Sequence, residues 1–220
     1  MGLLALVTSC NDEWKDEQYE QYVSFRAPLD NAGVTNIYVP YTRHNADGTV
    51  MEGEGKSYYD LPVIVSGSTN NSKDLTVHFD YDPDTLNVLN YARFSTRTDL
   101  FYHDMSNYAS FSPTIDIKKG DNVGLLRLNF NFKAHDGANA QVGDIDMAEK
   151  WVLPVQILDD ASYNYTSHPR KHYAKAMLRI FPFNDFSGDY SSSSLKIFVQ
   201  GDEANASTVS EKRCYVVDEN

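Results

Sequence analysis

Hydrophobic and polar residues alternate with a period of two along much of the chain. The clearest run is residues 126–132, in which apolar side chains alternate with Arg127, Asn129 and Asn131. Such alternation indicates half-buried strands, and many short strands separated by polar turns predict an all-β, immunoglobulin-like antiparallel sandwich. Seven further runs share the pattern, with apolar positions Val23 and Phe25; Ile37, Val39 and Tyr41; Leu61, Val63 and Val65; Leu75, Val77 and Phe79; Ile115 and Ile117; Trp151, Leu153, Val155 and Ile157; Ala176, Leu178 and Ile180.

The apolar phase of these runs predicts the core of the sandwich. We expect Leu128, Phe130, Val155, Ile157 and Leu178 to be buried there. Prolines occur in or beside several runs, and each removes one hydrogen-bond donor from a strand ladder. We therefore expect edge positions or bulges at four prolines, Pro40, Pro62, Pro154 and Pro182.

One segment has the pattern of a helix. Asp82 suits the N-cap, Pro83 suits the first helical position, and Leu86 and Leu89 follow with helical spacing. We expect this helix to be short and to plug one end of the sandwich.

The N-terminus has the features of a lipoprotein signal. Residues 1–10, MGLLALVTSC, are apolar but too short to span a bilayer. Their end resembles a lipobox, in which the cysteine thiol receives a diacylglycerol and becomes the new N-terminus. The sequence predicts a signal remnant over 1–10 with Cys10 lipidated, followed by an acidic tether over 11–20. No Lys or Arg precedes the apolar run, and a disordered leader with an incidental cysteine is the alternative.

The composition changes after Phe183, so we place one domain at 21–183 and another segment at 184–220. This segment contains strand-like runs at 195–199 and 214–217, joined by a polar stretch, 201–212, that we expect to be a loop. The favoured interpretation is the beginning of a second, truncated β domain. The alternative is a hairpin that docks on the first domain.

Charge and cysteine content narrow the classes of function. The chain has 220 residues and a formal net charge of −12, whereas nucleic-acid binding needs clustered Lys and Arg, so we expect no nucleic-acid partner. Cys10 and Cys214 have neither zinc-ribbon nor redox spacing. We expect no cofactor, and the chain is too short for a tethered (β/α)₈ barrel.

An aspartate run could suggest calcium binding, but its spacing fails. Asp80, Asp82 and Asp84 match the first positions of a calcium loop, yet Thr85 and Tyr91 occupy the positions that need Gly and Glu. A capped helix start explains the same residues.

Two other motifs contain catalytic or metal-binding residue types. Asp144, Asp146 and Glu149 resemble the acidic run of chitinase-type hydrolases, but the spacing is wrong by one residue. His168 and His172 are four residues apart, yet a proline between them disfavours a shared helix face. We therefore predict no catalytic residue, no metal site and no enzymatic activity.

Aromatic side chains are the remaining candidates, because sugar rings stack their C–H faces on Tyr and Trp. The stretch 91–111 is rich in them, and Tyr91, Tyr102 and Tyr108 are candidate glycan-binding residues. A second aromatic group lies at 163–165. The alternative is that these tyrosines pack in the core or corners of the sandwich.

Six segments along the chain together form a recognisable set. They are CNDEWKDE from Cys10, EQYVSF from Glu20, LPVIVSGS from Leu61, VHFDYDPDTL from Val77, WVLP from Trp151 and PRKHY from Pro169. This set resembles an N-terminal domain of unknown function in surface lipoproteins of gut Bacteroidetes, a domain also found ahead of chitinase-like endoglycosidase and lectin-like domains in polysaccharide-utilisation loci. The resemblance implies an immunoglobulin-like sandwich, outer-membrane lipid anchoring and genes clustered with glycan importers.

These observations favour a non-enzymatic surface lipoprotein that assists glycan capture at the outer membrane. The expected partners are the membrane, through the lipid anchor, a polysaccharide and an outer-membrane glycan importer. An adhesin or spacer module with protein partners is the first alternative. A glycoside hydrolase is the less favoured one, since no convincing carboxylate pair is present.

Overall fold

The computed structural model describes residues 20–43, 45, 49–52, 56–67, 69–132, 145, 149–199, 202–214 and 216. Within these residues the chain forms mainly strands, with helix α1 at Pro83–Phe94, a short helix α2 at Lys171–Ala174, and 3₁₀ turns at Thr98–Leu100 and Ser106–Tyr108. The strands are β1 Val23–Phe25, β2 Thr35–Pro40, β3 Tyr58–Val65, β4 Leu75–Tyr81, β5 His103–Asp104, β6 Ala109–Phe111, β7 Thr114–Ile117, β8 Val123–Phe130, β9 Trp151–Ile157, β10 Lys175–Phe183, β11 Gly188–Val199 and β12 Asp202–Cys214.

The first ten strands form two sheets. One has the order β1-β3-β8-β6, and the other has the order β2-β10-β9-β4-β7 with β5 beside β9. The predicted all-β sandwich is confirmed. The second sheet is mixed, because β10 pairs with β2 in parallel and β5 pairs with β9 in parallel. Strands β2 and β10 are distant in sequence and so are free of the antiparallel constraint that a hairpin turn imposes.

The main core lies between the two sheets. All five predicted core positions are buried there, and Leu128, Val155 and Leu178 have no exposed surface. Every second residue of these strands faces the core, because successive side chains of a strand point to opposite faces of its sheet.

The prolines lie in more central strands than the sequence suggests. Pro40 is in β2, at the edge of its sheet, but β3, β9 and β10 are interior strands. The expected edge strands are therefore wrong for Pro62, Pro154 and Pro182. Pro62 lies in the unbroken register of β3 with β8, and Pro154 lies in that of β9 with β10. Pro182 pairs with Val39 of β2, beyond the last residue of β10 that pairs with β9.

At Pro62 and Pro154, the missing backbone N–H would point toward a neighbouring strand that has already ended. The Pro62 carbonyl accepts a hydrogen bond from the Arg26 amide, one residue beyond β1, and the Pro154 carbonyl accepts one from the Asp82 amide, one residue beyond β4. In an antiparallel ladder the N–H and C=O of a residue point to the same neighbour. An interior strand therefore tolerates proline at these two places.

Helix α1 begins as predicted. The Asp82 side chain accepts a hydrogen bond from the Thr85 amide, and Pro83 occupies the first helical position. Its preset φ angle and missing N–H suit that position.

The packing of α1 differs from the prediction. Leu86 packs with Val152 of β9 and Met177 of β10, which belong to a second apolar cluster separate from the main core. Gly33, with φ of +76°, allows this close approach, since a Cβ there would lie 2.9 Å from Leu89 Cδ1. The helix therefore covers the outer face of the mixed sheet, and the prediction that it plugs one end is wrong.

Strands β11 and β12 form a separate antiparallel hairpin. The expected loop over 201–212 is wrong, because 202–212 lies within β12. Lys196–Phe198 and Asn205–Thr208 are exposed throughout, so the hairpin lacks the alternation of a half-buried sheet. Val216, just beyond β12, is buried in the main core cluster. No helix within the described ranges is long and apolar enough to span a membrane.

Candidate functional site

Aromatic side chains occupy the outward phase of two neighbouring strands. Ile37 and Val39 of β2 point into the core, so Tyr38 between them points outward and is 55% exposed. On β10, Ile180 is buried, and Phe181 and Phe183 lie in the opposite phase; Phe183 is exposed. These three rings therefore lie on the outer face of the mixed sheet.

The strand register brings the rings together. Phe181 is paired directly with Tyr38, and their ring centroids are 5.5 Å apart with 27° between the planes. The guanidinium carbon of Arg179 lies 4.6 Å from the centre of the Phe181 ring, a cation–π distance. Asn36 is the cross-strand partner of Arg179. The result is an aromatic row with polar side chains at one end.

The hairpin closes this row into a groove of about 400 Å³. It contributes Asp189 and Arg213, which are opposite each other in the β11–β12 register and form a two-pronged ion pair. The hydrogen bonds from Arg213 hold the pKa of Asp189 below its usual value. Asp189 is therefore ionised at neutral pH and presents acceptor oxygens. We call this site, lined by Tyr38, Phe181, Pro182, Phe183, Ser187, Gly188, Asp189, Arg213 and Cys214, the aromatic groove.

The chemistry of the aromatic groove suits a sugar. Exposed ring faces accept the C–H faces of pyranose rings, while a carboxylate and a guanidinium bind vicinal hydroxyls. A few convergent polar groups in a mostly apolar groove are typical of small-ligand sites.

The three tyrosines singled out in the sequence lie elsewhere. Tyr91 is 61% exposed on α1, with its ring 5.1 Å from Phe101 in edge contact. Tyr102 is buried in the cluster beneath α1, and Tyr108 is buried in the main core against Trp151. The structure does not bring these tyrosines together. Tyr91 is the one that presents a ring to solvent, and Cys10 lies outside the described residues.

The second aromatic group, at 163–165, packs against His78 and also lines a pocket of about 300 Å³ beside β1 and β4. The Tyr163 ring stacks on His78 at 4.0 Å with 5° between the planes. The Tyr165 hydroxyl donates to the Leu158 carbonyl and accepts from the His78 amide, and burial raises the pKa of Tyr165 to about 12. This tyrosine remains neutral at any physiological pH.

The carboxylate and histidine motifs acquire structural partners. Glu149 lies 3.3 Å from His103, whereas Asp144 and Asp146 lie outside the described residues. His168 and His172 both contact the Tyr173 ring, at 4.6 and 4.1 Å between centroids. In the part of the chain that the structure describes, no group of three or more His, Cys, Asp or Glu side chains could hold a metal ion.

Local aromatic abundance points to the stretches 91–111 and 163–165 and so does not indicate the residues of the aromatic groove. The sequence does contain a signal for them in the alternation of the strands. Aromatic residues occupy Tyr38, Phe181 and Phe183, where the alternation predicts outward-facing polar residues. An aromatic side chain in the outward phase of a strand is a better indicator of a binding surface than local abundance.

The fold is an all-β sandwich that carries the aromatic groove on the outer face of its mixed sheet. A family model for a domain of unknown function (DUF4973) matches residues 14–161, and the chain belongs to this family. A second model, for a C-terminal domain, matches residues 174–220. No match was found among curated proteins.

Solved structures from Bacteroides are similar to the chain. An auxiliary nutrient binding protein from Bacteroides thetaiotaomicron is 51% identical over 91% of this chain and 63% of that one, with a TM-score of 0.66. A multidomain protein including DUF1735 from Bacteroides ovatus is 40% identical over 90% and 59%, with a TM-score of 0.62. A protein of unknown function from the same species is 32% identical over 94% and 59%, with a TM-score of 0.63. The chain thus spans about three fifths of their lengths.

Proposed function

We propose that the chain is a non-enzymatic glycan-binding module that assists glycan capture at the cell surface. The observation that carries this proposal is the outward row of Tyr38, Phe181 and Phe183, flanked by Arg179 and by the ion pair of the hairpin. Soluble domains rarely expose clustered aromatic rings without a ligand or partner for them.

The relative at 51% identity supports the proposal, because it is named an auxiliary nutrient binding protein. A glycan is the nutrient class that the chemistry of the aromatic groove fits. An outer-membrane glycan importer is the partner that would receive such a ligand.

The proposal is for binding and not for hydrolysis. Glycoside hydrolysis generally uses two carboxyl groups on either side of the scissile bond. Asp189 is the single carboxylate among the described residues that line the aromatic groove, and it is engaged by Arg213. Release of reducing sugar by the purified chain would contradict the proposal.

We further propose that Cys10 anchors the module to the outer membrane through a lipid. The motif ending at Cys10 supports this. Cells supplied with a labelled fatty acid should incorporate it into the wild-type protein and not into Cys10→Ala. An unlabelled wild-type protein that still fractionates with membranes would contradict the anchor.

A glycan array followed by calorimetry on the full chain tests the binding site. We expect Tyr38→Ala to weaken binding of the best array ligand about tenfold or more, because one stacking ring is lost. Tyr91→Ala is the matched control, since it removes an equally exposed tyrosine outside the groove. Loss of binding in the Tyr91 variant alone would place the site on α1. An array without any bound glycan would favour the spacer or adhesin alternative.

A further inference from the structure

A second groove lies beside α1, where two cavities adjoin. One, of about 480 Å³, lies between α1 and the start of β10, and the other, of about 550 Å³, lies beside the segment that follows β1. Leu29 and His172 line both cavities, so the two are adjacent, and we call them together the second groove. It shares no lining residue with the aromatic groove.

Cationic side chains are distributed along this second groove. Arg26 lines one half and Lys171 the other, with His172 at the junction. Lys175 also lines it, but its ammonium is held by Asp82. Among the described residues that line the two cavities, none is Asp or Glu. In a chain of net charge −12, this local excess of positive charge is a specific feature and not a reflection of composition.

Arg170 lies beside this groove, and its amide donates a hydrogen bond to His168 Nδ1 at 3.1 Å. Partial burial and the nearby Arg170 and His172 side chains hold the pKa of His168 below its usual value. Arg170 thus extends the cationic region beyond the groove itself.

The walls between these charges are apolar. Leu29 and Val88 are exposed at 43% and 68%, and the Tyr173 ring is exposed at 41%. A single anionic head group would use one cation and leave the others without a partner. A chain that repeats a carboxylate on every ring would place its charges at both halves of the groove and its C–H faces against these walls.

We propose that the second groove binds an acidic glycan segment made of uronic acid units. Arg26 and Lys171 pair with carboxylates of one glycan segment, and the Tyr173 ring and Leu29 contact sugar faces of the same segment. The inference extends the proposed function to a second surface and a defined ligand class, and it depends on a separate set of residues.

Calorimetry on the full chain with tetragalacturonate and with its methyl ester tests the assignment. We expect the acid to bind, with an affinity that falls as salt is added, and the ester not to bind. The double variant Arg26→Ala/Lys171→Ala should bind the acid about tenfold or more weakly, because two charge-assisted contacts are lost. The matched control Lys118→Ala/Lys119→Ala removes the same charge elsewhere and should retain the wild-type affinity.

Further measurements separate this proposal from its rivals. Equal binding of polyglutamate, which repeats carboxylates without sugar rings, would overturn the assignment to a glycan. Absence of tetragalacturonate binding, or an equal loss in the control variant, would overturn the site. Tyr38→Ala should leave tetragalacturonate binding unchanged, so failure here and failure at the aromatic groove are distinguishable.

Discussion

Asp82 illustrates how one residue links local and long-range structure. Its carboxylate caps α1 by accepting from the Thr85 amide at 3.2 Å, and it lies 2.5 Å from the Lys175 ammonium on β10. The same ammonium donates to the Thr85 hydroxyl at 2.8 Å. Burial opposes ionisation, but Lys175 and Thr85 outweigh it and hold the pKa of Asp82 below its ordinary value of 3.8. Asp82, which lies in the run that fails as a calcium motif, thus links α1 to the mixed sheet.

Two substitutions separate these roles. Asp82→Ala removes both the cap and the charge, and should lower the free energy of unfolding by about 1–3 kcal/mol at neutral pH. Asp82→Asn keeps a capping oxygen and should cost less. Because the folded pKa is lowered, the stabilisation by the charge is present above pH 3.8 and is lost as the pH falls through the folded pKa.

Urea unfolding of both variants across a pH series measures this dependence. The penalty of Asp82→Asn should shrink below pH 3.8. Asp84→Asn is the control, since this exposed aspartate also lies in the first turn of α1. A penalty for Asp82→Asn that stays constant from neutral to acid pH would contradict the ion-pair role.

At the scale of elements, β8 shows how a strand separates core from surface. Leu126, Leu128 and Phe130 point into the sandwich, while Arg127 points outward and forms a two-pronged ion pair with Asp60 of β3. Those hydrogen bonds lower the pKa of Asp60, so the pair is ionised at neutral pH. Exposed pairs of this kind contribute little stability, which therefore comes mainly from the inward face.

Neighbouring substitutions in β8 test this division. Leu128→Ala should lower the free energy of unfolding by about 2–5 kcal/mol, since it leaves a cavity in a closely packed core. Asn129→Ala, one residue away in the outward phase, should change it by less than about 0.5 kcal/mol. Equilibrium unfolding in denaturant provides both values. Equal effects at the two positions would mean that the register of β8 is wrong.

At the scale of the whole molecule, the hairpin and the sandwich are connected at two places. The aromatic groove takes side chains from both, and Val216 returns from β12 to the main core with 4% of its surface exposed. The hairpin itself buries little of its described surface. An isolated two-stranded hairpin is marginal in water, so these contacts support it.

The substitution Val216→Ala measures how much the burial of Val216 in the main core stabilises the sandwich. We expect a loss of about 1.5–3 kcal/mol in the free energy of unfolding, because two buried methyl groups are removed. Ile197→Ala is the control, since Ile197 lies on the hairpin and is 47% exposed. An unchanged stability in Val216→Ala would show that the sandwich folds independently of the segment beyond β12.

Core positions and the start of α1 could be predicted because both depend on local rules. Alternation places Val155 and Leu178 on an inward face whichever strand lies beside them. Likewise, an aspartate followed by proline starts a helix through contacts within one turn. The exposed hairpin escaped this reasoning because it lacks an inward face.

The sequence by itself determined the fold class, the strand positions that face the core and the family resemblance. Only the tertiary structure decided which outward residues meet. Tyr38 and Phe181 are far apart in the chain and become neighbours through a parallel register that no local pattern encodes. Similarly, Arg26 and His172 line one cavity because the segment after β1 and the helix α2 converge there. Binding surfaces of a sandwich arise from strand order, and strand order is set by the packing of the whole chain.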